Sequence, residues 1–375
     1  MPPASPGSGW RLEALTGIRG LAAWYVVFYH IRLSLVGLLP APLIAALAKG
    51  YLAVDLFFML SGFVLWLNYA PRLARPDAHG LATFWWRRIA RIWPLHAVVL
   101  AGFVALASAF ALTGRDTAGY PPGELPLHLL LIQNWGFTRE LAWNHPAWSI
   151  STELAAYLLF PLLAMTAAAR STRPAHSLPL LLAMALLLGV LHGVYAGAGY
   201  RSLGAAITTF GLLRCLIEFA VGTLAARLWL LWRDHPRRGR AAAATATGAL
   251  VVMALGSGFG LAETAWVPLA LLLILLFLAL SEDRGLRWLG AGPVHWLGEV
   301  SYSTYLCHYG LFIVFKLLFV DASLQLDALR LGGFVVLLLL ASGVLYRGIE
   351  LPAQRALNAL RPGRRSSADP ARTGA

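Results

Sequence analysis

The chain has 375 residues, 59% hydrophobic and only 13% charged, with a mean hydropathy of +0.68 and a formal net charge of +13. Soluble domains carry about 25% charged residues, so this composition excludes an ordinary soluble fold. The cations, 28 Arg and 2 Lys, fall in short clusters between apolar runs, which fits membrane topology and excludes a nucleic-acid groove.

In chain order the apolar runs predict about ten membrane-spanning helices, at 12–37, 44–69, 93–112, 146–169, 179–197, 206–232, 241–259, 265–280, 294–320 and 329–348. Barrel strands would instead alternate in short segments. The predicted class is an all-α polytopic transmembrane bundle, one domain over 1–360, with a disordered basic tail over 361–375. The run 127–131 is too short to span and reads as a surface or re-entrant segment. The opening MPPASPGSGWR has no basic region ahead of its apolar run, so the first span is expected to be a retained signal-anchor. Arg72, Arg75, Arg87, Arg88, Arg91, Arg170, Arg173, Arg233, Arg237, Arg238, Arg240, Arg284, Arg287, Arg361, Arg364 and Arg365 fall on one set of loops. Asp116, Glu124, Glu140, Glu263, Asp321 and Asp327 fall on the alternate set. That asymmetry predicts both termini in the cytoplasm; arginine in place of lysine hints at a high-GC bacterial genome, and so at a multi-pass protein of a bacterial inner membrane. Cys215 and Cys307 lie in apolar runs and read as buried thiols. No internal repeat is evident, which disfavours a secondary-transporter plan.

Polar side chains inside the spans are the candidates for chemistry. Arg19 and His30 are eleven residues apart in one apolar run. Eleven helical steps make three turns plus about 20°, which puts both on one face about 16 Å apart. Asp55 stands alone in the second span and is the expected partner of His30, where a carboxylate would orient the imidazole. The competing reading is a packing hydrogen bond beside Gly50 and Gly62. Arg88 and Arg91, three apart in FWWRRIARIWPLH, form either a phosphate fork or an ordinary cytoplasmic arginine pair. Ser149, Glu153 and Tyr157 share a helical face, as do Ser301, Tyr305 and His308. Glu350 ends the last span, and its bland reading is a capping or interfacial carboxylate paired with Arg347 or Arg355. Arg214 and Glu218 are expected to neutralise each other, Lys316 to snorkel, and His79, His176 and His235 to lie in polar loops. No cluster has metal-ligand spacing, and no nucleotide-binding or nucleophile-elbow motif occurs.

Taken together, six segments resemble the acyltransferase-3 family of bacterial integral-membrane acyltransferases. They are LTGIRGLAA with His30, GYLAVDLFFMLSGF, RRIARIWP, WSISTELAAY, GEVSYSTYLCH and YRGIELP, in the family's order and across nearly the whole chain. The resemblance implies a ten-helix core moving an acyl group, usually acetyl, from cytoplasmic acyl-CoA to a hydroxyl of a cell-envelope glycan or a small secondary metabolite. By the same resemblance Arg19 and His30 match the R-x10-H motif and Arg88 and Arg91 the R-x-x-R motif. Glu350 matches the late glutamate, and Asp55 and Glu153 match other characteristic acids. Some relatives carry a further extracytoplasmic hydrolase-like domain. Here the sequence runs about fifteen residues past its last apolar segment, so direct transfer is expected, with a separate extracytoplasmic transferase as the alternative.

The expected mechanism places donor phosphates on Arg19, Arg88 and Arg91, with catalytic roles for His30, Asp55 and Glu153. Ser149, Tyr305, His308 and Glu350 are expected to support the substrates. His30 would act as general base or carry the acyl group itself. Acetyl-CoA is then a donor substrate and no cofactor or metal is bound permanently; membrane lipids are the other expected partners. A transporter of an organic acid or glycan is the competing class, separable by donor dependence. A scaffold subunit ranks last, because it leaves the polar faces without a use.

Overall fold

The computed structural model describes residues 12–166, 177–281, 286–321 and 323–360. Arg170, Arg173, His176, Arg284, the opening eleven residues and the tail 361–375 lie outside them. The described chain is an all-α bundle. Its helices are α1 (Glu13–Ile31), α2 (Ala41–Leu47), α3 (Ala53–Leu73), α4 (Ala78–Leu112), α5 (Leu125–Leu129), α6 (Ala147–Met165) and α7 (Ser177–Gly197), then α8 (Ile207–Trp232), α9 (Arg238–Gly258), α10 (Glu263–Leu280), α11 (Gly292–Glu299), α12 (Ser301–Phe319), α13 (Ala328–Leu345) and α14 (Leu351–Ala359).

Among the described residues, nine helical segments are long and apolar enough to cross a membrane. The predicted count was about ten, and α1 accounts for the difference. Glu13, Thr16, Arg19 and His30 lower the apolarity of α1, and neighbouring helices cover much of its surface. His30 also stands in the last turn of α1, because the α-helix closes at Ile31 into a short 3-10 turn over Arg32–Leu35. The inner helices include α6 and α8, each 61% buried over its most apolar window, whereas α7, α9 and the α13 segment are 17% buried there and present their apolar sides outward. Helix α4 has 35 residues, which at 1.5 Å each is about 52 Å, well beyond a ~30 Å hydrocarbon core. Its first turn, capped by Asp77 accepting from the Gly80 amide at 2.7 Å, carries His79, so that histidine is helical and not in a loop.

The α3–α8 pair is the tightest seam. A Cβ at Gly62 would overlap the Phe219 carbonyl, and one at Gly222 would overlap the Met59 carbonyl. Two backbones therefore meet directly, as small residues allow in apolar surroundings. Beside that seam Arg214 of α8 grips Asp55 of α3 through Nε–Oδ1 and Nη2–Oδ2, both at 2.6 Å. Its Nη1 donates to the Leu203 carbonyl at 2.7 Å, and the guanidinium carbon lies 5.6 Å from the Trp148 ring. Both residues are essentially inaccessible. This corrects two expectations: Asp55 pairs with Arg214 and not with His30, and the main carboxylate of Arg214 is Asp55 and not Glu218. A guanidinium has five donors in a fixed plane, so it takes a bidentate carboxylate in preference to one neighbour a turn away on its own helix. Cys215 and Cys307 are free and buried.

Asp55→Ala leaves Arg214 buried and unpaired, and is expected to cost about 3–5 kcal/mol of stability. Gly222→Val is expected to cost at least about 1–3 kcal/mol by overpacking. Both should appear as a lowered melting temperature of the detergent-solubilised protein; an unchanged value for Asp55→Ala would exclude the structural role given to the pair.

Candidate active site

Helices α1, α3, α4, α6 and α12 surround a cavity of about 180 Å³. Arg19, Arg88, Arg91, Ser149, Glu153, Tyr157, Ser301 and Tyr305 all line it. The structure thus gathers most of the residues singled out from sequence, drawn from positions 19 to 305, into one chamber. Close approach of α1 and α11 sets Arg19: a Cβ at Gly20 would overlap the Gly298 and Leu297 backbone. In that seam Arg19 donates from Nη2 to the Gly298 carbonyl at 3.0 Å and from Nε to Ser301 Oγ at 3.1 Å. Arg88 donates to the Tyr69 hydroxyl at 2.8 Å, lies 4.9 Å over the Tyr69 ring, and keeps a buried Nε without a partner. Neither arginine meets a carboxylate within hydrogen-bonding distance among the described residues.

Arg91 differs. It forms an ion pair with Glu350, whose second oxygen accepts from Ser303 at 2.6 Å. Glu350 closes a π-turn over Tyr346–Glu350 between α13 and α14, and such bulges recur at functional sites. The extra residue in the turn aims Glu350 inward at α4. Arg347 and Arg355, its expected partners, do not hold it. Glu153 accepts from the Tyr157 hydroxyl at 2.5 Å on the shared face read from sequence.

Helix α12 forms a ladder against its neighbours. Ser301 meets Arg19, Tyr305 meets Ser149 Oγ at 2.8 Å, and His308 Nε2 meets His30 Nδ1 at 3.1 Å. The histidine pair settles its own tautomers when both rings are neutral. His308 Nδ1 faces the Tyr305 and Thr304 carbonyls at 2.7 and 3.2 Å, so it must carry a hydrogen. Its Nε2 is then an acceptor, and His30 Nδ1 donates to it and to the Val26 carbonyl at 3.0 Å. That leaves His30 Nε2 with its lone pair and no hydrogen bond to the described residues. The partner that orients His30 is thus His308, in the place expected for Asp55.

Beyond His30 lies an aromatic cluster. Tyr309 is 5.5 Å from the His30 ring and stacks at 4.8 Å on His145, its hydroxyl sharing a hydrogen bond of 3.1 Å with His145 Nδ1. Burial lowers the His145 pKa, which keeps the ring neutral and able to accept. Trp143 and Trp135 anchor the loop ahead of α6, donating to the Pro121 and Ser151 carbonyls at 3.1 and 2.8 Å. Tyr69, Tyr302, Ser303, Tyr309 and His145 belong to the site's surroundings but were not singled out from sequence. Tyr302 and Ser303 sit beside Ser301 in SYS, and only the sharing of α12 between two sides of the chamber reveals their use.

A family model described as an acyltransferase domain matches residues 12–347. The acyltransferase MdmB of Streptomyces mycarofaciens is 38% identical over 164 residues, which is 40% of this chain and 39% of MdmB. Protein 2 in the picA locus of Rhizobium radiobacter is 36% identical over 160 residues, 38% of this chain and 78% of that protein. The O-acetyltransferase OatA of Staphylococcus aureus is 23% identical over 367 residues, 92% of this chain and 57% of OatA. The chain therefore spans less than two thirds of MdmB and of OatA. No solved structure matches it. With the family model covering nearly all of its helical bundle, the chain belongs to the acyltransferase-3 family of multi-pass membrane acyltransferases.

Proposed function

We propose that the protein is an acyl-CoA-dependent O-acyltransferase, acetyl being the expected group, that acts on a hydroxyl of a cell-envelope or exported glycan or of a small metabolite. The observation that carries this reading is the chamber itself: three guanidinium groups around about 180 Å³, two of them without a carboxylate, on the same helix system as an imidazole with a free Nε2. Whole-ligand pockets run to about 300–1,000 Å³, so this chamber takes a part of the donor. The pyrophosphate and the start of the pantetheine arm fit its charge, while the adenine nucleotide stays outside. The arm is the part of the donor able to bridge the ~16 Å from Arg19 to His30. The arginine-rich loops support a donor entrance on the cytoplasmic side of a bacterial inner membrane, with both termini on that side. The name of OatA supports an oxygen acceptor.

In this mechanism His30 Nε2 removes the acceptor proton as the hydroxyl oxygen attacks the thioester carbonyl. The tetrahedral intermediate collapses by breaking the C–S bond, and the same proton passes to the leaving thiolate. His308 Nε2 and the Val26 carbonyl receive Nδ1–H throughout, so the transient imidazolium keeps its hydrogen-bond partners. Glu153 and Ser149, on the chamber wall, serve to position the substrates.

His30→Ala is expected to abolish transfer of radiolabelled acetyl from acetyl-CoA by the purified protein, with its melting temperature near that of the parent. Full transfer by that variant would refute the base assignment. Arg88→Ala removes one charge-assisted phosphate contact and is expected to raise the half-saturating donor concentration about tenfold, an effect of about 1.4 kcal/mol. Unchanged donor dependence would reduce the arginine to a topological charge. His308→Ala should lower the maximal rate and move the rate–pH curve while half-saturation by donor stays put. An altered donor half-saturation with an unmoved curve would contradict its orienting role.

A further inference from the structure

A second cavity lies on the opposite side of α1 and α3 from the arginine chamber, and no residue lines both. Its volume is about 880 Å³. Ile18, Leu21 and Ala22 of α1, Leu52 and Leu56 beside and within α3, and Trp266, Ala270 and Ile274 of α10 give it an apolar trough. Its charged groups gather at one end: Lys49, Arg201 and Glu263, with Ser202 beside them. From Glu263 to Ile274 the trough follows eleven residues of α10, about 16 Å, which is the depth of one leaflet of a ~30 Å hydrocarbon core.

The polar end has a surplus cation. Glu263 is already saturated: it accepts from Lys49 Nζ at 2.5 Å, Ser202 Oγ at 2.8 Å, the Leu203 amide at 3.3 Å and the Tyr51 hydroxyl. Arg201 is exposed, and its guanidinium donates only to the Gly260 carbonyl, at 2.6 Å, among the described residues. Two cations against one carboxylate leave a charge of +1 at the mouth of a trough one leaflet deep.

We propose that this trough binds one anionic glycerophospholipid, with an acyl chain along α1 and α10 and its phosphate on Arg201 and Lys49. Depth, apolar lining and charge complementarity all point to that occupant, and none of them depends on the acyl-transfer reading. The lipid would brace the outer side of α1, the helix that carries Arg19 and His30.

The test uses the purified full chain titrated with phosphatidylglycerol or zwitterionic phosphatidylethanolamine in native mass spectrometry. One phosphatidylglycerol is expected to be retained in preference to phosphatidylethanolamine. Arg201→Ala should weaken phosphatidylglycerol about fivefold and erase the preference. Ala270→Trp, which fills the trough, should remove the tight adduct altogether. Where Ala270→Trp fails to fold, brominated phosphatidylglycerol replaces it as the probe: it should quench tryptophan fluorescence saturably, and Trp266→Phe should remove the saturable component. Equal binding of the two lipids with no effect of Arg201→Ala, or saturable quenching that survives Trp266→Phe, would overturn the proposal. So would quenching by a brominated alkyl glycoside and not by the phospholipid, which would mark the trough as a port for a neutral amphiphile.

Discussion

The bundle depends on how charge is neutralised away from water. An unpaired guanidinium inside an apolar helix packing is costly, and the structure meets that cost unevenly. Asp55 and Arg214 saturate each other with two hydrogen bonds and a carbonyl for the remaining edge. Arg91 and Glu350 do the same with Ser303 in support. Arg19 and Arg88 are given only neutral partners: a carbonyl, hydroxyls and aromatic rings. Neutral partners hold a guanidinium in place without cancelling its charge. The difference separates charges that build the fold from charges left uncancelled among the described residues, and Arg19 and Arg88 both line the same chamber.

This contrast also explains which parts of the molecule were legible in the sequence. Apolar length marks α3, α4, α6, α7, α8, α9, α10, α12 and α13, because lipid imposes it on any helix that touches it. Residues three and four apart are neighbours by helical geometry alone, so the faces Ser149–Glu153–Tyr157 and Ser301–Tyr305–His308 were readable. Pairings between distant segments were not. Asp55 and Arg214 are 159 positions apart, and nothing local to either distinguishes Arg214 from His30 as a partner. Glu350 is a further long-range case: it closes the π-turn Tyr346–Glu350 and meets Arg91 of α4, 259 positions away, in place of Arg347 or Arg355 beside it. Helix α1 is less plainly apolar because Glu13, Arg19 and His30 interrupt it, and contacts with neighbouring helices hold those polar side chains.

The histidine pair limits what His30 can do. Its Nδ1 is committed to His308 and Val26, so proton removal and acyl carriage would both have to use Nε2. The two routes then differ in what they ask of the second nitrogen. Carriage makes an acyl-imidazole that is activated when Nδ1 keeps its hydrogen, because the ring then bears positive charge. Proton removal needs Nδ1–H only as an anchor. His308 supplies the anchor through a lone pair fixed by two backbone carbonyls, with no carboxylate in contact to draw the hydrogen away. A neutral acceptor holds the ring in place without drawing the Nδ1 hydrogen off it, so the anchor serves either route.

Geometry favours the donor arm over the imidazole as the moving part. Arg19 and His30 ride on one rigid helix, so the ~16 Å between them is fixed by α1 itself. Tyr305 lies along that interval, lining the arginine chamber with its side chain while its carbonyl holds His308. Its hydroxyl is tied to Ser149 and to the Pro146 carbonyl at 3.1 Å. The contacts that resist movement of this side chain are two neutral hydrogen bonds. Neutral bonds of this kind contribute about 1 kcal/mol each, far less than the buried ion pairs on either side. The deformable point of the site is therefore Tyr305, placed between a charged chamber that binds and an imidazole that is held still.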